Sequence, residues 1–306
     1  MNYKKFGNTD LIVSEIGFGA WAIGGPAMAG NIPIGWGNSD DSLSKKTLIK
    51  ALGKGITFFD TADFYGFGHS ETLIGEVIGN NKEVIIATKV GHRLEENRIV
   101  LDYSFNHIIN SCEASLKRLK RDWIDYYQLH SAKIEHLQNG ECIDAMHTLF
   151  EQGKIRYWGI SLSTFNPYPE AEYFMKNKIG HGFQVAFNLI NQRAKNLIEK
   201  SSELSYGIIA RMPLQFGLLT GKFNEKSVFE ENDHRSLRLT PDLISELLNS
   251  LKFLEPIIEK YKVNKTTFAL SFINSFSGIS TIIPGMRNPE QIEQNICPLI
   301  KIEKED

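Results

Sequence analysis

Cysteine is scarce in this 306-residue chain. The three present, Cys112, Cys142 and Cys297, are odd in number, widely spaced and form no CxxC pair. That excludes a disulfide framework and points to free thiols in a reducing compartment. The eight histidines show no HExxH or related spacing, so no zinc or iron site is expected. A GxSxG elbow is missing as well, which leaves a serine hydrolase unsupported. No apolar run approaches ~18 residues. Met1-Asn2-Tyr3-Lys4-Lys5-Phe6 leads into no signal-like segment, so a soluble, cytoplasmic protein without a membrane partner is expected. Neither charge is in excess, with 34 Lys plus Arg against 36 Asp plus Glu, and such a balance is no footprint for nucleic acid. The one basic cluster, Lys117, Arg118, Lys120 and Arg121, closes a predicted helix and reads as a solvated helix end.

What the chain does have is alternation. Strand-like runs are predicted at Ile16–Ala20, Thr57–Phe59, Val84–Thr88, Trp123–Leu129, Ile155–Ile160, Gly182–Ala186, Ile208–Met212 and Thr281–Ile283. Most are continuously apolar, as strands covered on both faces are. Between them lie amphipathic stretches with recognisable ends. Ser39-Asp40-Asp41 supplies the cap of a helix through Lys54 that Gly55 stops, and Asn264 caps one through about Asn274; Thr240-Pro241 and Asn288-Pro289 set a cap before a first-turn proline. Tyr3–Phe6 and Leu11–Val13 predict a hairpin within residues 1–14. The longest irregular stretch, about residues 213–239, has a length typical of functional loops. Length alone would suggest two domains, but no composition shift marks a linker. Eight strands alternating with helices favour one (β/α)8 TIM barrel spanning residues 1–306 over an open doubly wound sheet.

A parallel barrel carries its chemistry at the C-terminal strand ends. There the sequence places Asp60 and, in the turn after it, Tyr65; then Lys89; then His130. Each alone would be unremarkable, since strand-end Asp is commonly a cap and a lone His commonly structural. Together they complement one another. A phenol with pKa ~10 becomes useful near neutrality when a cation steadies its phenolate, and a carboxylate can hold that cation. With His130 as a second donor, this is machinery for exchanging a proton with a carbonyl or alcohol oxygen.

With these residues in place, the chain resembles the aldo-keto reductase family. The five-residue Asp60-to-Tyr65 interval, the Thr88-Lys89 pair and the Asp125-x-x-x-x-His130 spacing carry the likeness, which extends over nearly the whole chain. The resemblance implies a barrel with an N-terminal hairpin and a catalytic tetrad of Asp60, Tyr65, Lys89 and His130. It also implies NADPH (NADP+) as the cofactor of an oxidoreductase acting reversibly on an aldehyde or ketone. By the same likeness Ser161, in Gly159-Ile160-Ser161, and Gln184 hold the nicotinamide carboxamide, with Leu162 where the family has Asn. Trp21 lies beside the ring. Arg211, Pro213, Leu214, Gly217 and Lys222 follow the nicotinamide and pyrophosphate. Gly285, Arg287, Gln291 and Asn295 form the adenosine-phosphate site, where a cation beside a capped helix start suits phosphate. Arg235, in Asp233-His234-Arg235 of the long loop, is open to two readings, a second cation for the phosphate or solvated loop charge. Gly91 and Ser131 stand where family members carry bulky aromatics, so a wide, polar mouth and a sugar-like small-molecule carbonyl are expected. Trp36 is open to two readings, a wall of the site or an exposed loop aromatic.

Gly17-Phe18-Gly19-Ala20-Trp21-Ala22 mimics a dinucleotide fingerprint, but no helix opens at its third position and Asp40 begins a helix rather than ending a strand. Two rival functions remain: an NADPH-binding regulatory or redox-sensing subunit with little turnover, and a cofactor-free barrel using Lys89 as a Schiff base. Oligomeric state is not readable from the sequence.

Overall fold

In the computed structural model, which describes residues 1–303 and 305, eight parallel strands follow one another around a barrel. They are β1 (Phe18–Gly19), β2 (Phe58–Asp60), β3 (Ile85–Val90), β4 (Ile124–His130), β5 (Ile155–Ser161), β6 (Gly182–Ala186), β7 (Gly207–Arg211) and β8 (Thr281–Ile283). Each hydrogen-bonds to its neighbours in sequence. Parallel bridges at Ile16–Ile282 and Gly19–Gly285 join β1 to β8 and complete the ring. That closure needs glycine: a Cβ on Gly19 would lie 2.9 Å from the Ile283 carbonyl oxygen. Every residue of β2 and β3, and all but the last of β4, is buried, which accounts for their largely apolar character and leaves their few polar side chains, Asp60, Lys89 and Gln128 among them, enclosed.

The base of the barrel is plugged by the hairpin Tyr3–Lys5/Ile12–Ser14. Phe6, beyond its first strand, packs edge-on to Tyr126 at 4.8 Å and near Phe58. Its ring fills the space that a side chain at Gly182 or Gly207 would need, so the two strands open on glycine. Burial of such a ring contributes on the order of 3 kcal/mol.

The expected caps are present. Asp40 accepts from Leu43 N at 2.6 Å ahead of the helix Asp41–Gly53, and Asn264 from Thr267 N at 2.8 Å ahead of Lys265–Asn274. Thr240 and Asn288 cap Pro241–Ser250 and Pro289–Asn295. The strand bounds shift in a way that matters. Lys89 lies inside β3 and His130 ends β4, one residue later than expected, while β6 keeps its expected bounds with Gln184 in its middle.

Two features depart from expectation. The basic cluster is only partly solvated: Arg118 Nε bonds Glu71 Oε2 at 2.7 Å, and Arg121 is buried against the Asn81 and Val84 carbonyls. Arg118, in the last turn of the helix Phe105–Leu119, is thus paired with a buried carboxylate, and Arg121, just beyond it, is enclosed. An antiparallel hairpin, His92–Glu95/Arg98–Leu101, also follows β3. Its strands are half polar and pair only with each other, and Glu96 and Asn97 turn it with φ of 46° and 62°.

Segment 213–239 is irregular but for two short 3-10 turns, Gln215–Thr220 and His234–Leu237. Met212, Gln215 and Phe216 all have left-handed φ, a strained run for non-glycine residues. Asn188, fully buried, restrains it by donating to Met212 O at 2.8 Å and Gln215 Oε1 at 3.0 Å.

Candidate active site

At the C-terminal end of β2 and β3, the Lys89 ammonium donates to Asp60 Oδ2 at 2.6 Å, Thr61 O at 2.7 Å and Tyr65 OH at 3.1 Å. All three of its donors are used, and the side chain has no exposure to solvent. A lysine past a strand would ordinarily reach for water; this one is turned inward by the carboxylate. The other Asp60 oxygen accepts from Gln184 Nε2 at 2.7 Å and Gln128 Nε2 at 3.1 Å. Gln128, absent from the expected site residues, therefore helps fix the carboxylate. Its signal was available only as a polar residue in the middle of an apolar strand.

Burial opposes the Lys89 charge, yet Asp60 and then Tyr65 outweigh it and hold the ammonium above its ordinary range. For Tyr65 burial is the largest influence and raises the phenol, with the nearby Lys89 pulling the other way. The expectation that Lys89 would bring the phenol down needs that correction: desolvation wins at rest, and Tyr65 keeps its proton.

His130 meets the Tyr65 ring edge-on at 6.0 Å. Burial first, then the charges of His92, Lys89 and Arg211, keeps its imidazole well below the usual histidine value and so neutral. The tetrad residues thus stand together around one point.

The glycine at position 91 does not open room as its missing side chain suggested. Gly91 has φ +122°, and a Cβ there would fall 2.0 Å from the Tyr103 ring. Tyr103 fills that space from the far side of the hairpin and donates its hydroxyl to the His130 carbonyl at 2.6 Å. On the opposite side Trp21 stacks on Tyr65 at 5.9 Å and on the fully buried His234 at 4.4 Å, with Trp36 and Phe216 against them. Trp36, half-buried, is thus a wall residue. Backbone pairing of Trp36 with Asp233 ties the loop after β1 to the 213–239 segment.

Arg211, ending β7, donates to Leu162 O and Thr164 Oγ1, both at 3.0 Å, and its Nε is buried without a partner. Ser161 Oγ lies 3.5 Å from Gln184 Oε1. Lys222 is exposed and bonds Gln294 Oε1 at 3.0 Å. The Arg235 charge is committed to Asp233, which it grips through Nε and Nη2, while the guanidinium lies 4.6 Å over the Trp36 ring. Arg287 donates to the Asn38 carbonyl and has no carboxylate partner among the described residues. The Pro289–Asn295 helix offers little beside it, because Pro289 lacks an N–H and Asn288 already holds that of Gln291. Gln291 Oε1 accepts from Arg287 N at 2.6 Å, Asn295 is buried at the far end of that helix, and Gly285 is open on its Cβ side. Pro213 and the buried Leu214 start the strained segment, and Gly217 turns it at φ +100°. A separate cavity of about 550 Å³ behind this segment, lined by Leu218, Phe223 and Leu251 among others, touches none of the tetrad.

The Aldo/keto reductase family model matches residues 15–306. The chain belongs to the aldo/keto reductase family. It is 31% identical to the aldo-keto reductase YhdN of Bacillus subtilis (strain 168), over 96% of this chain and 87% of that protein. It is also 26% identical to an NADH-specific methylglyoxal reductase of Escherichia coli (strain K12), over 98% and 94%. A glycerol dehydrogenase of Gluconobacter oxydans has the same fold at a TM-score of 0.82 and 26% identity, covering 99% of this chain and 92% of that one. A probable voltage-gated potassium channel subunit beta of Arabidopsis thaliana is 27% identical over 97% of this chain and 90% of that one. This aldo/keto reductase is accordingly a nicotinamide-dependent oxidoreductase acting on carbonyls. Among the described residues no group of His, Cys, Asp and Glu could hold a metal, and no helix is long and apolar enough to cross a membrane.

Two histidines of this aldo/keto reductase tie the mouth to acid stability. Burial, with Lys89 nearby, lowers His92 to about 4; burial, with Arg238 nearby, lowers His234 to about 3. Both hold a proton more weakly in the folded chain than in the unfolded one. Their stabilising contribution is present above pH ~6.5 and lost as pH falls towards the folded values, at up to about 1.4 kcal/mol per pH unit each. Urea unfolding between pH 7 and 4.5 should therefore show stability falling with acid, and His234→Phe should flatten that slope by about one proton. An unchanged slope would exclude His234 as a contributor.

Proposed function

We propose that this enzyme reduces a small aldehyde or ketone with NADPH, Tyr65 giving its proton to the carbonyl oxygen. The observation that carries the reading is the Lys89 ammonium set between the Asp60 carboxylate and the Tyr65 hydroxyl. The surrounding donors fit a nicotinamide cofactor. Ser161 Oγ and Gln184 Oε1, beside one another, suit a carboxamide that both donates and accepts. Arg211 has a buried donor to spare, and Arg287, which makes no direct ion pair among the described residues, suits a phosphate. When bound, the cofactor supplies the hydride.

The chain's own part is proton handling and orientation. Tyr65 holds the proton at its hydroxyl oxygen, and Lys89 stabilises the phenolate left after transfer. Asp60 keeps Lys89 charged, and neutral His130 donates to the carbonyl oxygen. Reversal gives alcohol oxidation. Of the two positions behind the sugar-like preference, Gly91 no longer supports it, since Tyr103 occupies the space beside that residue.

NADPH consumption with a panel of simple aldehydes tests the reading; tight NADPH binding without turnover across the panel would favour a sensing role instead. Arg287→Ala should weaken NADPH binding by about 10- to 100-fold, the range of a charge-assisted phosphate contact, and NADH binding by less than about threefold. Equal weakening would remove Arg287 from the 2′-phosphate.

A further inference from the structure

His130 has one ring nitrogen, Nδ1, fully buried with no hydrogen-bond partner, whereas Nε2 is not enclosed. An imidazole that works through one nitrogen is usually oriented by a hydrogen bond to the other, from a carboxylate or a carbonyl. No such group reaches His130. The neutral Nε2–H tautomer suits this surrounding, because it leaves only a lone pair at the buried Nδ1. That lone pair exerts no hold on the plane of the ring.

What does hold the ring is His92. The two imidazoles lie face to face, centroids 4.2 Å apart and 16° from parallel. His92 is itself well fixed. It opens the strand His92–Glu95, pairs in register with Leu101, and has Phe64 against it edge-on at 5.5 Å. Gly91, with its left-handed φ of 122°, turns the chain out of β3 to bring it there. On the other flank the Tyr65 ring closes on His130, and the Tyr103 hydroxyl anchors its carbonyl.

We propose that His92 is a positioning residue for carbonyl reduction: its stacked ring replaces the missing hydrogen bond and holds His130 with Nε2 towards the substrate oxygen. The inference rests on the reading of His130 as a donor to the carbonyl. It also gives the unanticipated hairpin after β3 a purpose, since that hairpin carries the stacking ring. Stacking requires a flat ring rather than an imidazole. Phenylalanine should therefore serve where alanine fails.

The test compares the full-length wild type with His92→Ala and His92→Phe, using 4-nitrobenzaldehyde and NADPH. His92→Leu, which keeps apolar volume without a flat ring, replaces the alanine variant if that one does not fold. Loss of the stack should lower kcat by about 10- to 100-fold, the cost of a misoriented group, while NADPH Kd stays within about twofold. His92→Phe should stay within about threefold of wild type. Independently of turnover, nitrogen-15 NMR of the imidazoles should show His130 as one tautomer in the wild type and in His92→Phe, and as a mixture once the stack is gone. Unchanged kcat with a single tautomer in His92→Ala overturns the proposal. So does a His92→Phe variant as impaired as His92→Ala, which would give the imidazole itself the role. A wild type that reduces no aldehyde defeats the functional reading alone, because the NMR comparison still decides what His92 does.

Discussion

Tyr65→Phe should abolish nearly all carbonyl reduction while leaving NADPH affinity within about twofold. A positioned general acid is worth roughly 10²- to 10⁴-fold, so kcat should fall by that amount. The ring remains to stack on Trp21 at 5.9 Å, so the aromatic wall and the fold should survive. Burial raises the phenol and the Lys89 ammonium also stays above its usual value, so neither loses its proton between pH 6 and 9. His130, kept neutral by burial and its cationic neighbours, adds no acid limb near pH 6.5. The wild-type kcat/KM for reduction should therefore be flat across that window. Retention of near-full kcat by Tyr65→Phe would take the acid role away from Tyr65, and a steep limb inside the window would contradict the burial argument.

The barrel, and the gathering of Asp60, Tyr65, Lys89 and His130 at one end of it, were legible in the sequence because both are written in local terms. Continuous apolar runs such as Ile85-Ile86-Ala87 announce strands covered on both faces, and Asp60, Lys89 and His130 each sit at the end of one. The caps at Asp40, Asn264 and Asn288 were legible for the same reason: one side chain bonds an N–H three residues on. What was missed depends on partners distant in sequence. Gln128 holds Asp60 from 68 residues away, and Tyr103 fills the space at Gly91 only because a hairpin folds it back. A glycine where relatives carry an aromatic reads as room, but the room can be taken by a ring from another element. Arg118, in the last turn of the Phe105–Leu119 helix, misled similarly, since composition cannot tell a solvated helix end from one turned onto Glu71.

Asp60→Asn should be the most damaging near-isosteric change in the protein. The carboxylate is the only anion bonded to Lys89 among the described residues, and its other oxygen gathers Gln128 and Gln184. Asparagine keeps the shape and removes the charge. Burial, already the largest influence on Lys89, would then act without its counterweight and drive the ammonium towards the neutral amine. Breaking a buried pair in this way typically costs about 3–5 kcal/mol, which urea unfolding would register. The kinetic consequence has a definite sign. With Lys89 losing its proton as pH rises, the phenolate formed during reduction loses its stabilising cation, so kcat/KM should fall from acid to alkaline pH where the wild type is flat. A variant with a flat profile and a stability loss below about 1 kcal/mol would mean that Lys89 keeps its charge without Asp60, and that the three-residue linkage is not what sets the state of the site.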